Sequence, residues 1–284
     1  MEKIKVAFLD FWPEINDENI FLMILKKHFE VEVTTTNPDV VIHSIFQGAG
    51  ESTKYKCKKI LYCGENKRPG VYGSNYSISF DPHSETNFQL PLWQYYMILN
   101  EDYKDRLFNR LNLDSFERFC SFTVSNPNNF VRNGMFNQLK SYKPVSSYGR
   151  YMNNDYGLQE ASRGKYWRKA KDEFFLKHSH KFSIAYENNS YPHYTTEKLM
   201  DAFLVGSMPI YWGDPKVKEN FNEKAFINVI DYGSDIMKVI QMMDSNDQAF
   251  EEKYHEPVFT NTQWNKHVNN LMEFETWFIK VIKK

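Results

Sequence analysis

KFSIAYENNSYPHYTTEKLMDAFLVGSMPIYWGDP, residues 181–215, holds two buried-strand signals with a helical signal between them. Phe182–Tyr186 and Met208–Trp212 are short apolar runs bounded by polar turns, the pattern of strands covered on both faces of a parallel sheet. Between them, Thr195–Val205 reads as a helix. Leu199, Ala202, Phe203 and Gly206 fall on one face, and Tyr194, Glu197, Lys198 and Asp201 on another, at i, i+3, i+4 and i+7. A strand, a helix and a parallel strand form a βαβ unit. The stretch therefore predicts an α/β fold. One helix face packs on the sheet, and the other presents a phenol, two carboxylates and an ammonium.

The same alternation extends in both directions. Ile4–Leu9, Val31–Thr35, Val40–Ser44, Lys59–Tyr62 and Tyr76–Phe80 read as strands, with a helix over Asp17–His28. A helical region follows Pro91 to about Leu113, broken near Asn100. The pattern then restarts: strand Phe119–Val124, helix Asn129–Lys140, the stretch quoted above, and strand Ala225–Val229. Ile236–Met243 and Gln263–Ile282 read as helices. Two successive βα series in 284 residues predict two Rossmann-like domains facing across a cleft. We expect an N-terminal domain over 1–115 and a C-terminal domain over 116–262, with the helix at 263–284 packing back on the first.

Composition narrows the function. Lys+Arg number 35 and Asp+Glu 36, a net charge of −1. That balance disfavours a nucleic-acid binder, which carries a basic surplus. Cys57, Cys63 and Cys120 have no metal-binding or disulfide spacing and suggest a reducing compartment. The apolar stretch near Met1 is too short for a secretory segment, and no run is long enough to span a membrane. The expected location is the cytoplasm, with membrane contact at most peripheral to the inner membrane. The turn after Leu9, Asp10-Phe11-Trp12-Pro13-Glu14, lacks G-x-G-x-x-G, which disfavours a nicotinamide or flavin enzyme. There is no P-loop. His178, His180 and His193 lack matching carboxylates or thiols, so no metal is expected.

Three segments can carry chemistry. In the first, the polar groups around Glu197 and Lys198 open a helix, whose free N–H groups favour anions; the alternative is a solvated face with an ordinary Glu–Lys pair. The second, Ser125-Asn126-Pro127-Asn128-Asn129-Phe130-Val131-Arg132-Asn133, follows a strand and opens a helix, where open α/β sheets place ligands. Arg132 there can fork onto a phosphate, or simply lie on the surface. The third is Leu61-Tyr62-Cys63-Gly64-Glu65-Asn66, with Glu65 just beyond a strand. It can act as a general base in a cleft, or sit in water.

Together these segments resemble the α-1,3-fucosyltransferases, particularly the bacterial α-1,3/1,4 enzymes. The likeness rests on Glu187-Asn188, Thr196-Glu197-Lys198 and Pro209-Ile210-Tyr211-Trp212-Gly213-Asp214-Pro215. Phe226–Val229 with Asp231-Tyr232, the SNPNNFVRN and YCGEN segments, Ser77–Asp81 and Pro91-Leu92 continue it. The resemblance implies a GT-B arrangement and GDP-fucose as donor substrate, with no cofactor and no metal. By that resemblance Glu65 is the general base, and Arg132 and Lys198 bind the diphosphate. Asn188 and Tyr194 line the donor pocket, Glu197 holds the ribose, and Asn126 lies in a matched motif. The implied acceptor is N-acetylglucosamine in an N-acetyllactosamine-type glycan, with Trp12 stacking on a sugar or packing under a loop. Asn189 stands where serine is frequent, and His193 where Asp or Gly is common. The heptad repeats and basic tail of some bacterial members are not found. Lys280, Lys283 and Lys284 form only a small cluster. Alternatives are a transferase for another nucleotide sugar and a non-catalytic sugar-binding protein on the same scaffold.

Overall fold

The computed structural model describes every residue except 13–14, 16–18, 47–49 and 164–165. Pro13 and Glu14 of the first turn, and Asp17 and Glu18 at the expected helix start, lie outside the described residues. Contacts divide the chain into two compact units, residues 1–101 with 265–284, and residues 102–264.

The first unit contains β1 (Glu2–Leu9), α1 (Ile20–His28), β2 (Phe29–Val33), β3 (Val40–His43), β4 (Lys58–Cys63), β5 (Tyr76–Ser79), β6 (Asn87–Gln89) and α2 (Leu92–Leu99). The strands form one sheet in the order β2-β1-β3-β4-β5-β6, and every pairing is parallel. Asn19 caps α1, its side chain accepting from the Leu22 N–H at 2.7 Å. The helix buries Ile20, Phe21, Leu22, Ile24 and Leu25.

The second unit contains α3 (Asp102–Phe108), β7 (Arg118–Phe122), α4 (Phe130–Tyr142), β8 (Val145–Ser147), α5 (Gly157–Ala161), α6 (Trp167–Lys177), β9 (His180–Tyr186), α7 (Lys198–Leu204), β10 (Met208–Trp212), β11 (Ile227–Asn228), α8 (Ile236–Ser245) and α9 (Asp247–Tyr254). Its sheet is also parallel, in the order β11-β10-β9-β7-β8. One core packs Cys120, Phe122, Phe182, Ile184 and Ile210 against Phe136, Leu139 and Ile240. Both sheets are Rossmann-like, as the sequence predicts.

The closing helix α10 (Asn261–Lys283) belongs to the first unit from Asn265 onward. Its Phe274 and Phe278 rings lie 6.4 and 5.6 Å from Phe21, and Phe274 lies 5.3 Å from Phe88. The break near Asn100 separates α2 from α3. It is also where the units divide, earlier than the residue 115 read from the sequence. The reason is that α3 is fastened within the second unit: the Tyr103 hydroxyl donates to Asp172, and Arg106 donates to the Leu204 carbonyl at 2.9 Å.

Candidate functional site

In the second sheet, β7 has β8 on one side and β9 on the other. Open α/β sheets bind ligands outside the carboxyl ends of the strands at such a reversal. The loops leaving these two strands are tied together. Asn129 caps α4, accepting from the Arg132 N–H at 2.9 Å, and its amide donates to the Glu187 and Asn188 carbonyls at 2.9 and 3.1 Å. Arg132 is 1% exposed. Its guanidinium donates to Asn188 Oδ1 at 2.8 Å and to the Asn126 carbonyl at 2.5 Å. Its Nε has no hydrogen-bond partner among the described residues. Burial lowers this guanidinium from its ordinary value, and Glu187 and Tyr194 work against the shift. The solvated-arginine alternative is thus overturned, because the guanidinium is a buried clamp between two loops.

The segment from His193 to Lys198 corrects the predicted helix. The helix begins at Lys198, with Glu197 as its cap residue. The preceding residues turn their donors to two buried carboxylates instead. Glu187 and Asp214 are both 0% exposed. Glu187 Oε1 accepts from the Thr196 N–H at 2.7 Å, and Oε2 from its hydroxyl at 2.6 Å. Asp214 Oδ1 accepts from the His193 N–H at 2.7 Å, and Oδ2 from the Thr195 hydroxyl at 3.0 Å. Tyr194, buried to 1%, precedes the helix, so Tyr194, Glu197, Lys198 and Asp201 do not share a helical face. Gly213 makes room for Glu187: a Cβ on Gly213 would lie 2.4 Å from Glu187 Cγ. His193 has φ +67°, a left-handed conformation that costs a residue with a Cβ more than glycine.

Lys198 joins the carboxylates. Its ammonium lies 3.5 Å from Glu187 Oε2, 3.3 Å from Glu197 Oε1 and 2.9 Å from Thr196 Oγ1. Burial pushes the Glu187 carboxyl up to about 7, despite Lys198 and the Thr196 hydrogen bonds. Burial also raises Glu197, but Lys198, Lys171 and Arg168 outweigh it and hold that carboxyl at about 2. A cavity of about 80 Å³ opens beside Glu197 and Lys198, lined by Ser121, Thr123, Ser183 and Lys171 among others. Arg168 and Lys171 both pair with Asp201.

Sequence reasoning missed these last two cations and gave no role to Glu187. The E-N motif exposed Glu187, but its complete burial comes only from the fold. Arg168 and Lys171 stand on α6, which was not predicted because two positions of its buried face are the polar Arg168 and Asp172. The 3.6-residue pattern therefore reads as surface.

In the first unit, Glu65 lies half-buried, two residues beyond β4. Its carbonyl accepts from the Lys67 N–H at 2.6 Å and from the Cys63 thiol at 3.3 Å. Arg68 pairs with Asp81 and Asn66 and lies 4.4 Å over the Phe80 ring, which fixes the turn. Trp12 packs edge-on among Phe11, Phe46, Tyr62 and Tyr95, at 5.5, 5.6, 6.5 and 6.4 Å. The histidines go separate ways. His178 faces Glu117 at 3.1 Å, and buried His180 faces the Tyr148 hydroxyl at 3.0 Å. No group of metal-ligating residues occurs among the described residues. Nor is any helix among them long and apolar enough to cross a membrane.

Both units are thus Rossmann-like sheets, and the second gathers buried cations and carboxylates at its strand-order reversal. Residues 6–96 match the family model described as the alpha-(1,3)-fucosyltransferase FucT N-terminal domain, and residues 115–277 match the glycosyltransferase family 10 (fucosyltransferase) C-terminal model. The chain belongs to glycosyltransferase family 10. It is 29% identical over 272 residues to the alpha-(1,3)-fucosyltransferase FucT of Helicobacter pylori, covering 81% of this chain and 54% of that protein. It therefore spans about half the length of that relative. It is 32% identical over 113 residues to alpha-(1,3)-fucosyltransferase B of Drosophila melanogaster, covering 39% of this chain and 24% of that protein. A crystal structure of an alpha1,3-fucosyltransferase with GDP-fucose matches with a TM-score of 0.72 at 21% identity, over 100% of this chain and 92% of that one. That match supports the fold.

Proposed function

We propose that the chain is an inverting glycosyltransferase. It moves L-fucose from GDP-fucose to a hydroxyl of N-acetylglucosamine in an N-acetyllactosamine-type glycan. The linkage is α-1,3, with α-1,4 the neighbouring option, and the product is of the Lewis x type, as on a bacterial lipopolysaccharide or capsule. One observation carries the reading: Arg132, Asn188, Glu197 and Lys198 gather at the strand-order reversal of one sheet, in a chain of this family.

In this proposal Lys198 and Arg132 stabilise the negative charge that grows on GDP as it leaves, a preorganised electrostatic contribution. Glu197, ionised throughout the neutral range, accepts hydrogen bonds from the ribose hydroxyls. Asn188, Asn126 and Tyr194 shape the donor pocket around Arg132. Glu65 takes the proton of the acceptor hydroxyl as the new C–O bond forms. A single displacement through an oxocarbenium-like transition state inverts the β-linked donor to an α product, by the logic of inverting glycosidases. Trp12 offers an aromatic face on the acceptor side.

The test is GDP release from GDP-fucose with and without N-acetyllactosamine. Acceptor-dependent release is the expected result. Release that ignores the acceptor would reject the acceptor assignment, and no release would reject the transferase reading.

A further inference from the structure

Glu187 is a fully buried carboxylate that faces Lys198, one of the two proposed diphosphate cations. Lys198 lies 3.5 Å from its Oε2, and Arg132 on α4 feels its charge. The other titratable groups facing it are Glu197 at the start of α7 and the buried Tyr211 phenol on β10. Between Glu187 and Lys198 stands one hydroxyl. Thr196 Oγ1 donates to Glu187 Oε2 at 2.6 Å and accepts from Lys198 Nζ at 2.9 Å. The backbone N–H of Thr196 occupies Oε1.

From this geometry, and resting on the proposed binding of GDP-fucose, we infer that Glu187 is a positioning residue: it holds Lys198 ready before the diphosphate arrives and takes up one proton when the diphosphate replaces it as the counter-ion of Lys198. The steps balance without a redox partner. Lys198 turns from Thr196 and Glu187 to the phosphate oxygens. Glu187, left at 0% exposure beside a new anion, loses its compensating cation. A proton from solvent adds to Oε2, since Oε1 already accepts the Thr196 N–H. The Thr196 hydroxyl, no longer accepting from Lys198, accepts from the new Oε2–H, and the polarity of that one hydrogen bond reverses. Burial has already brought the carboxyl to about 7, so little further push is required. When the nucleotide leaves, the proton returns to solvent.

The experiment is calorimetric titration of the full chain with GDP-fucose, in two buffers of different ionisation enthalpy, at about pH 6 and about pH 8, on either side of that value. GDP-fucose suits the purpose because its diphosphate is esterified at both ends and exchanges no proton near neutrality. The expected result is uptake approaching one proton at the higher pH and little at the lower, where Glu187 is already protonated. The affinity should fall by up to about tenfold per pH unit above 7. In Glu187→Gln both effects should vanish. Binding without proton uptake in the natural chain, or the same uptake in Glu187→Gln, overturns the inference and leaves the proposed function standing. Failure of the natural chain to bind GDP-fucose overturns both. Should Glu187→Gln not fold, isotope-edited infrared difference spectra of the natural chain decide. A protonated glutamate band must appear on adding GDP-fucose, and its absence overturns the inference.

Discussion

Replacing Gly213 by alanine tests the fit that the site depends on. The added Cβ would lie 2.4 Å from Cγ and 2.7 Å from Cβ of Glu187, and 3.0 Å from the Tyr211 hydroxyl. All of these atoms are buried, so something must move. Forcing a methyl into a packed site costs about 1–3 kcal/mol. Rotating Glu187 away would instead break its two bonds from Thr196, and hydrogen bonds to a charged group contribute about 1.5–3 kcal/mol each. The protein takes the cheaper course, so we expect a loss of about 2–3 kcal/mol. For a unit of this size that lowers Tm by roughly 4–12 °C, at about 2–4 °C per kcal/mol. The control is Gly134→Ala. Gly134 lies within α4 with nothing within 4 Å of its added Cβ, so the change should be neutral or stabilise by about 0.5–1 kcal/mol. Thermal unfolding of the two variants beside the natural chain is the assay. A Gly213→Ala variant that melts with the natural chain would refute the claim that this backbone approach fixes Glu187.

Three further outcomes are expected. Glu65→Gln should lower turnover by about 10²–10⁴-fold and leave GDP affinity nearly intact, as steady-state kinetics with a GDP titration would show; near-normal turnover rejects the base assignment. Lys198→Ala and Arg132→Ala should both weaken GDP-fucose binding, and the Arg132 change should also cost about 1.5–3 kcal/mol for each bond that fastens the two loops to the buried guanidinium. An Arg132→Ala variant that melts with the natural chain would contradict the clamp. His193→Gly should raise stability by about 0.5–1 kcal/mol, because relief of roughly 1–2 kcal/mol of left-handed strain exceeds the extra chain entropy glycine loses. An unchanged or lower Tm would contradict the strain.

Much of this architecture could be read along the chain. Strands β3 and β10 are nearly continuous apolar runs, as are the second halves of β1, β4 and β9, because parallel sheets are covered on both faces. The three-residue strands β6 and β8 escaped because so few residues show no period. Motif position singles out Arg132 and Lys198, which follow β7 and β9 along the chain.

Local pattern thus determines the α/β alternation and which residues leave the strand ends, since burial on a sheet repeats at short, fixed intervals. Tertiary structure decides how those residues are used. Thr196 could have donated its N–H within a helix, and no spacing reveals that a buried Glu187 nine residues earlier takes it instead. Arg168 reaches Asp201 across 33 residues and shares it with Lys171, a pairing set by where α6 lies rather than by the residues flanking either. Hydrogen bonds and charge act through space. In a low-dielectric interior, the partners the fold brings together set the charge of a carboxyl such as Glu187 or Glu197.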